Sequence, residues 1–236
     1  MTLETITDNF QAAFEQCVPG TMCHADELMN ERRNNIQLRE QMFYSADGCV
    51  YYVENKKPTL RITRERFNPI LKNINDVFGQ LLNQDNYRLS RDDFIIMNAI
   101  GVGPDKLTID LTKLTLKGNG KDWRGHDRGW SYYEISTHTP SFFNRGYDKL
   151  NFEERKLAES VYGQDNDFVE NIKMLNDAGI KQTRIYVLSP KYVQKHAKEY
   201  AIVRPPLLWD FNHHSNFDAC GYFIVGNVNV RGVRKQ

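Results

Sequence analysis

The sequence predicts an α+β fold, and three observations predict it. Apolar residues recur at helical spacing in several stretches. Shorter stretches rich in β-branched and aromatic residues read as strands. From Val203 to the end no helical period is visible.

Taken in order, Leu3, Ile6, Phe10 and Phe14 predict a short amphipathic helix over 2–17. Leu28, Ile36, Leu38 and Met42, set among charged and amide residues, predict a second helix over about 25–43. Its polar majority suggests a partly exposed or self-associating surface. Cys49–Val53 and Thr59–Thr63 are strands, and Glu54–Pro58 between them reads as the turn of a hairpin. A helical period returns over 67–83, and Ser90 is placed to cap a further helix over about 90–99. The texture changes near Gly101-Val-Gly-Pro104, where a soft boundary over 101–106 divides the chain into 1–104 and 105–236. Leu107–Leu116 alternates with β-type threonines, and Trp130–Ile135 is a strand. Phe152–Val161 and Phe168–Ala178 are helices, the second closed by Gly179. Thr183–Leu188 is a strand, and Ser189-Pro190 opens a short helix to about His196.

The 236 residues make one large domain or two small ones, ample for a core. With 31 Lys+Arg against 30 Asp+Glu, no whole-surface electrostatic grip on nucleic acid or anionic membrane is expected. No apolar run is long enough to insert into a membrane, and the N-terminal residues lack the pattern of a secretory signal peptide. Four scattered cysteines do not make a disulfide scaffold. A chain made in a cytoplasm is the expectation.

Most enzyme signatures fail. Ala99-Ile-Gly-Val-Gly-Pro104 lacks a third glycine, and its proline removes a donor, so it reads as a turn rather than a phosphate cradle. Cys17 and Cys23-His24 lack the paired spacing of a zinc site. His213-His214, flanked by Asp210 and Asp218, invites a metal, but adjacent strand residues point to opposite faces. No metal and no cofactor are therefore expected. Trp123, His126, Trp130, Tyr132 and Tyr133 read as core of a loop-rich region. Lys56, Lys57, Arg61, Arg64 and Arg66 read as a solvated hairpin face.

The segment 210–229 is different. It contains no Lys, Glu, Gln, Met or Trp, although those five types total 45 in residues 1–209. An empty window of that length has a chance of roughly one in a hundred at average usage. Asn, Asp, His, Ser, Gly and Tyr interleave with Phe and Val in no clean period. Residues of this kind furnish adaptable binding loops.

With its flanks this segment resembles a known family. Ile185-Tyr-Val-Leu-Ser-Pro-Lys-Tyr-Val193, His196-Ala-Lys198, Val203-Arg-Pro-Pro-Leu-Leu-Trp209, Phe211, Ser215, Phe217-Asp-Ala219 and Val230-Arg-Gly-Val-Arg234 resemble the variable region of diversity-generating retroelement variable proteins. These are similar to phage tropism determinants and end in a C-type-lectin-like fold, related to that of the formylglycine-generating enzyme. The family's mutagenic reverse transcriptase corrupts template adenines. The codons it produces exclude Lys, Glu, Gln, Met and Trp.

The resemblance implies a C-terminal C-type-lectin-like domain over 105–236, with its variable region at about 205–234. A small helical and hairpin module, 1–104, would precede it and mediate assembly. It implies ligand-facing variable positions at Asp210, Asn212, His213, His214, Asn216, Asp218, Cys220, Tyr222, Phe223, Val225, Asn227 and Asn229. Trp209, Phe211, Ser215, Phe217, Ala219, Arg231, Gly232 and Arg234 would be fixed scaffold. The implied function is binding of a host-surface macromolecule, protein or glycan, by a phage virion component, with other virion proteins as partners and a homo-oligomer as one form. Two alternatives stay open. One is an enzyme of the formylglycine-generating type, whose paired reactive cysteines contrast with a Cys220 that stands alone in its region. The other is a structural virion protein without a receptor role.

Overall fold

The computed structural model describes residues 2–64, 87–90, 106–121, 127–137, 150–220 and 227–236. The helix expected at 67–83, the 91–99 part of the next one, the 101–105 part of the expected boundary, and Tyr222, Phe223 and Val225 lie outside the described residues.

The first element is a strand, not the expected helix. β1 (Glu4–Asn9) runs antiparallel to β13 (Asn227–Gly232), and only then does α1 (Phe10–Glu15) begin. Thr5, Ile6 and Thr7 are β-branched and suit an extended ladder. Asn9 then switches the chain into helix by accepting the Ala12 N–H at 3.0 Å.

The second expected helix is shorter and more buried than its composition suggested. α2 (Ala25–Asn34) is followed by a 3₁₀ turn, Ile36–Glu40, because Asn35 is extended and its side chain caps Gln37 N. Ala25, Leu28, Met29 and Arg32 form its buried stripe. The stripe joins a core with α3 (Phe152–Tyr162) and α4 (Asp165–Asp177), through Leu157, Val161, Phe168 and Ile172.

The hairpin forms from β3 (Gly48–Glu54) and β4 (Lys57–Thr63). Its two turn residues, Asn55 and Lys56, are both left-handed, which matches the twist of the flanking strands. It sits in a five-stranded sheet with β5 (Tyr87–Ser90), β6 (Lys106–Asp110) and β10 (Tyr200–Arg204), in the order β5-β10-β3-β4-β6. Ser90, expected as a helix cap, ends β5.

A second sheet has the order β2-β11-β12-β9-β8-β7. Its strands are β2 (Phe43–Tyr44), β7 (Lys117–Lys121), β8 (Asp127–Ser136), β9 (Gln182–Leu188), β11 (Leu207–Leu208) and β12 (Phe217–Asp218). β8 and β9 alternate cleanly, turning Tyr133, Ile135, Ile185 and Val187 into the helical core. Ser189 caps the short α5 (Pro190–His196), with Pro190 at its first position.

The division into 1–104 and 105–236 does not match these sheets. β1 pairs with β13, β2 with β11, β3 with β10 and β4 with β6, each joining strands from opposite sides of the expected boundary. One core cluster runs from Cys23 to Cys220. The texture change near 101 marks a change in local composition, whereas sheet partners are chosen by long-range pairing that composition does not encode.

Candidate functional site

β11 leaves the sheet at Trp209 and the chain returns as β12 at Phe217. The excursion between them is a tight loop. Trp209 N donates to Asn216 O at 2.8 Å and closes its neck. Inside, Phe211–His213 makes one 3₁₀ turn. The Asp210 carboxylate caps that turn, accepting His213 N at 2.9 Å and lying 2.7 Å from His213 Nδ1. Ser215 N donates to Asp210 O at 2.8 Å. His214 and Ser215 are both left-handed, with φ of 61° and 49°.

The result is a short exposed run, Asn212, His213 and His214, on a buried footing. The His213 ring meets Trp209 edge-on at 5.2 Å. Beneath the loop lies Arg32 of α2, wholly buried. It donates to Trp209 O (2.7 Å), Ser215 Oγ (3.0 Å), Leu38 O (3.1 Å) and Gln41 O. Burial pushes its guanidinium down to about 9, with Asp210 acting in the opposite sense. Thr183 Oγ1 donates to Ser215 O at 3.1 Å and is itself 2.6 Å from Tyr162 OH.

The described residues among those expected to face a ligand fall into three groups. Asn212, His213, His214 and Asn227 are exposed. Asn216 and Asn229 are half-buried and hydrogen-bonded. Asn216 Oδ1 accepts Arg184 N at 2.9 Å, while Asn229 holds Thr7 Oγ1 at 2.7 Å and Met42 O at 3.1 Å. Asp210, Asp218 and Cys220 are buried, so, contrary to the expectation from sequence, they do not face a ligand. Asp210 is turned inward by its capping role. Asp218 lies in β12, paired on both sides, with its Oδ1 accepting Cys220 N at 2.9 Å.

Burial raises the Asp218 carboxyl to about 6, against the pull of the Cys220 N–H and Arg204. Cys220 has no exposure at all, and burial drives its thiol well up. Cys49 is among the groups acting on that thiol, so Cys220 does not stand alone in space as it does in sequence.

Among the residues expected as scaffold, Ser215, Phe217, Ala219 and Gly232 are buried. A Cβ on Gly232 would sit 3.1 Å from Cys17 Sγ. Trp209 and Phe211 are half-buried, and the guanidinium groups of Arg32 and Arg39 lie 5.8 and 5.6 Å from the Phe211 ring centre. Arg231 pairs with Glu31 at 3.1 Å, and the exposed Arg234 with Glu4 at 3.4 Å. No group of three or more His, Cys, Asp or Glu among the described residues could hold a metal ion.

Sequence reasoning missed Arg32, Arg39, Thr183 and Tyr162. A signal for Arg32 was present. It occupies the fourth position of the stripe Ala25, Leu28, Met29, Arg32, where a cation must find buried acceptors.

Among solved structures, the chain is similar to one described as showing how the C-type lectin fold accommodates massive sequence variation in Nanoarchaeota. The TM-score is 0.67 at 12% identity, over 99% of this chain and 98% of that one. The protein is thus a mixed helix-and-sheet chain with the C-type lectin fold, and the likeness spans both halves of the sequence. No protein-family model and no curated protein matches it.

Proposed function

We propose that this is a ligand-binding protein that presents exchangeable side chains on the 209–217 loop, in the manner of a diversity-generating retroelement variable protein. One observation carries the reading. Asn212, His213 and His214 project in a continuous exposed run, while the loop that bears them is hydrogen-bonded to buried residues. The composition of 210–229 and the C-type lectin fold support it. The formylglycine-generating alternative is disfavoured because Cys220 is buried and burial pushes its thiol up, away from the thiolate that such chemistry needs. The ligand is a cell-surface macromolecule, protein or glycan. The chain serves as the receptor-binding component of a phage particle, docking to its other proteins through surfaces remote from the loop.

The test uses an array of purified cell-surface glycans and proteins, probed with the full chain and with a triple Asn212→Ala, His213→Ala, His214→Ala variant of matched thermal stability. Signals present for the first and lost for the second are expected. Equal signals from both would overturn the loop as the binding element. The retroelement reading has its own test in the flanking DNA. A reverse transcriptase gene and a near-copy of codons 205–234, differing at adenines, are expected there, and their absence would remove that part.

A further inference from the structure

We propose that Arg32 is the positioning residue of the display loop. It grips the two ends of the loop through atoms that exchange of residues 212–214 leaves in place. Nη1 alone bridges the ends, to Trp209 O at 2.7 Å and Ser215 Oγ at 3.0 Å. Nε and Nη2 are fixed on Leu38 O and Gln41 O, so the fork cannot swing away. The acceptors are main-chain carbonyls and one small hydroxyl, and none is a side chain of residues 210–214.

The loop needs such a clamp. Two successive non-glycine residues, His214 and Ser215, are left-handed. Strain of this kind persists only where the surroundings over-determine it. Ser215 is also held through its carbonyl by Thr183, and its hydroxyl is 3.6 Å from Met29 Sδ. The Phe211 ring packs against the guanidinium groups of both Arg32 and Arg39, and Arg39 Nε donates to Arg32 O at 2.9 Å. The exchangeable set within the loop is therefore Asn212, His213 and His214, with Asp210 and Ser215 fixed. At 214 the left-handed backbone admits Asn, Asp, His and Gly and disfavours Val, Ile and Thr.

This inference rests on the display reading, but its test reads loop geometry and uses no ligand. Amide hydrogen exchange is followed on the full chain in the wild type, Arg32→Lys, Ser215→Ala and a loop-exchanged variant (Asn212→Ser, His213→Tyr, His214→Asn). The loop-exchanged variant keeps the Trp209 and Ser215 amides within about twofold of wild type. Arg32→Lys, whose ammonium lacks the planar fork, speeds exchange at those amides by about tenfold or more while the β9 amides stay protected. Ser215→Ala gives a smaller change at the same amides, and it decides the matter if Arg32→Lys fails to fold. Equal acceleration in the loop and β9 would make Arg32 merely structural and overturn the proposal. Loss of protection in the loop-exchanged variant would overturn it too. A chain that shows the expected pattern yet binds nothing on the array would remove the display reading and leave the clamp standing.

Discussion

Replacing Asp218 with Asn changes stability by an amount the structure sets. The carboxyl is buried in β12, and its protonation midpoint moves from 3.8 to about 6 on folding. The folded protein therefore holds that proton more readily than the unfolded chain does. Stability falls as pH rises from about 4 to about 6, and above that the full cost stands, about 3 kcal/mol for a displacement of this size. Asn mimics the protonated acid and can still accept the Cys220 N–H bond. Its amide gives up the attraction to Arg204, but that attraction is already contained in the net upward displacement.

Urea denaturation, followed by tryptophan fluorescence, should therefore show the variant about 2–3 kcal/mol more stable than wild type at pH 7.5, with the difference shrinking to nothing below about pH 3. The pH-dependent difference isolates this one group from the other titrations. A constant difference across the range would refute the reasoning, because a solvent-facing Asp218 gives no such slope. The same measurement thus tests the correction of Asp218 from ligand-facing position to buried strand residue.

Other predictions concern backbone and packing. His214→Gly relieves a left-handed residue and should stabilise the fold by about 1 kcal/mol, whereas His214→Val should cost at least as much, both read from thermal melts. Gly129 has φ of 73°, and a Cβ there would lie 2.2 Å from the Tyr192 ring, so Gly129→Ala should cost about 2–5 kcal/mol in urea denaturation. Asn151 caps α3 by accepting Glu153 N and Glu154 N at 3.0 Å, and Asn151→Ala should cost about 1 kcal/mol by the same assay.

Elements set by neighbouring residues were legible in the sequence, and those set by remote partners were not. The β3–β4 hairpin, α3, α4, β9 and α5 carry their own periods, caps and turns within a few residues. Leu3, Ile6, Phe10 and Phe14 fit a helical spacing, so the local sequence predicts helix where β1 forms. What makes Glu4–Asn9 a strand is a ladder to β13, joined for example by Thr7 and Asn229 across 222 residues. The candidate loop was visible as a compositional anomaly, since missing residue types need no partner to be noticed. Which of its residues face water was not visible. Asn212 and Asp210 are alike in polarity, and only the capping of the 3₁₀ turn sends one outward and the other in. Asp218 looked like any polar position until β12 placed it between two strands.

The support of the loop is distributed in a way that bears on how it can change. Arg32, which holds Trp209 and Ser215, Thr183, which holds Ser215, and Tyr162, which is bonded to Thr183, all lie outside residues 205–234. A process that rewrites only that window leaves these outer supports in place. The contacts made from within are the vulnerable ones. Substituting Asp210 removes the cap of the 3₁₀ turn and a charge that acts on Arg32, and leaves His213 N without its side-chain acceptor. Substituting Ser215 leaves a buried guanidinium one acceptor short, a loss of about 1–3 kcal/mol. Variants recovered from a rewritten population should therefore be diverse at 212–214 and depleted at 210 and 215. A population as diverse at 210 and 215 as at 212 would show that the loop keeps its shape by means other than this clamp.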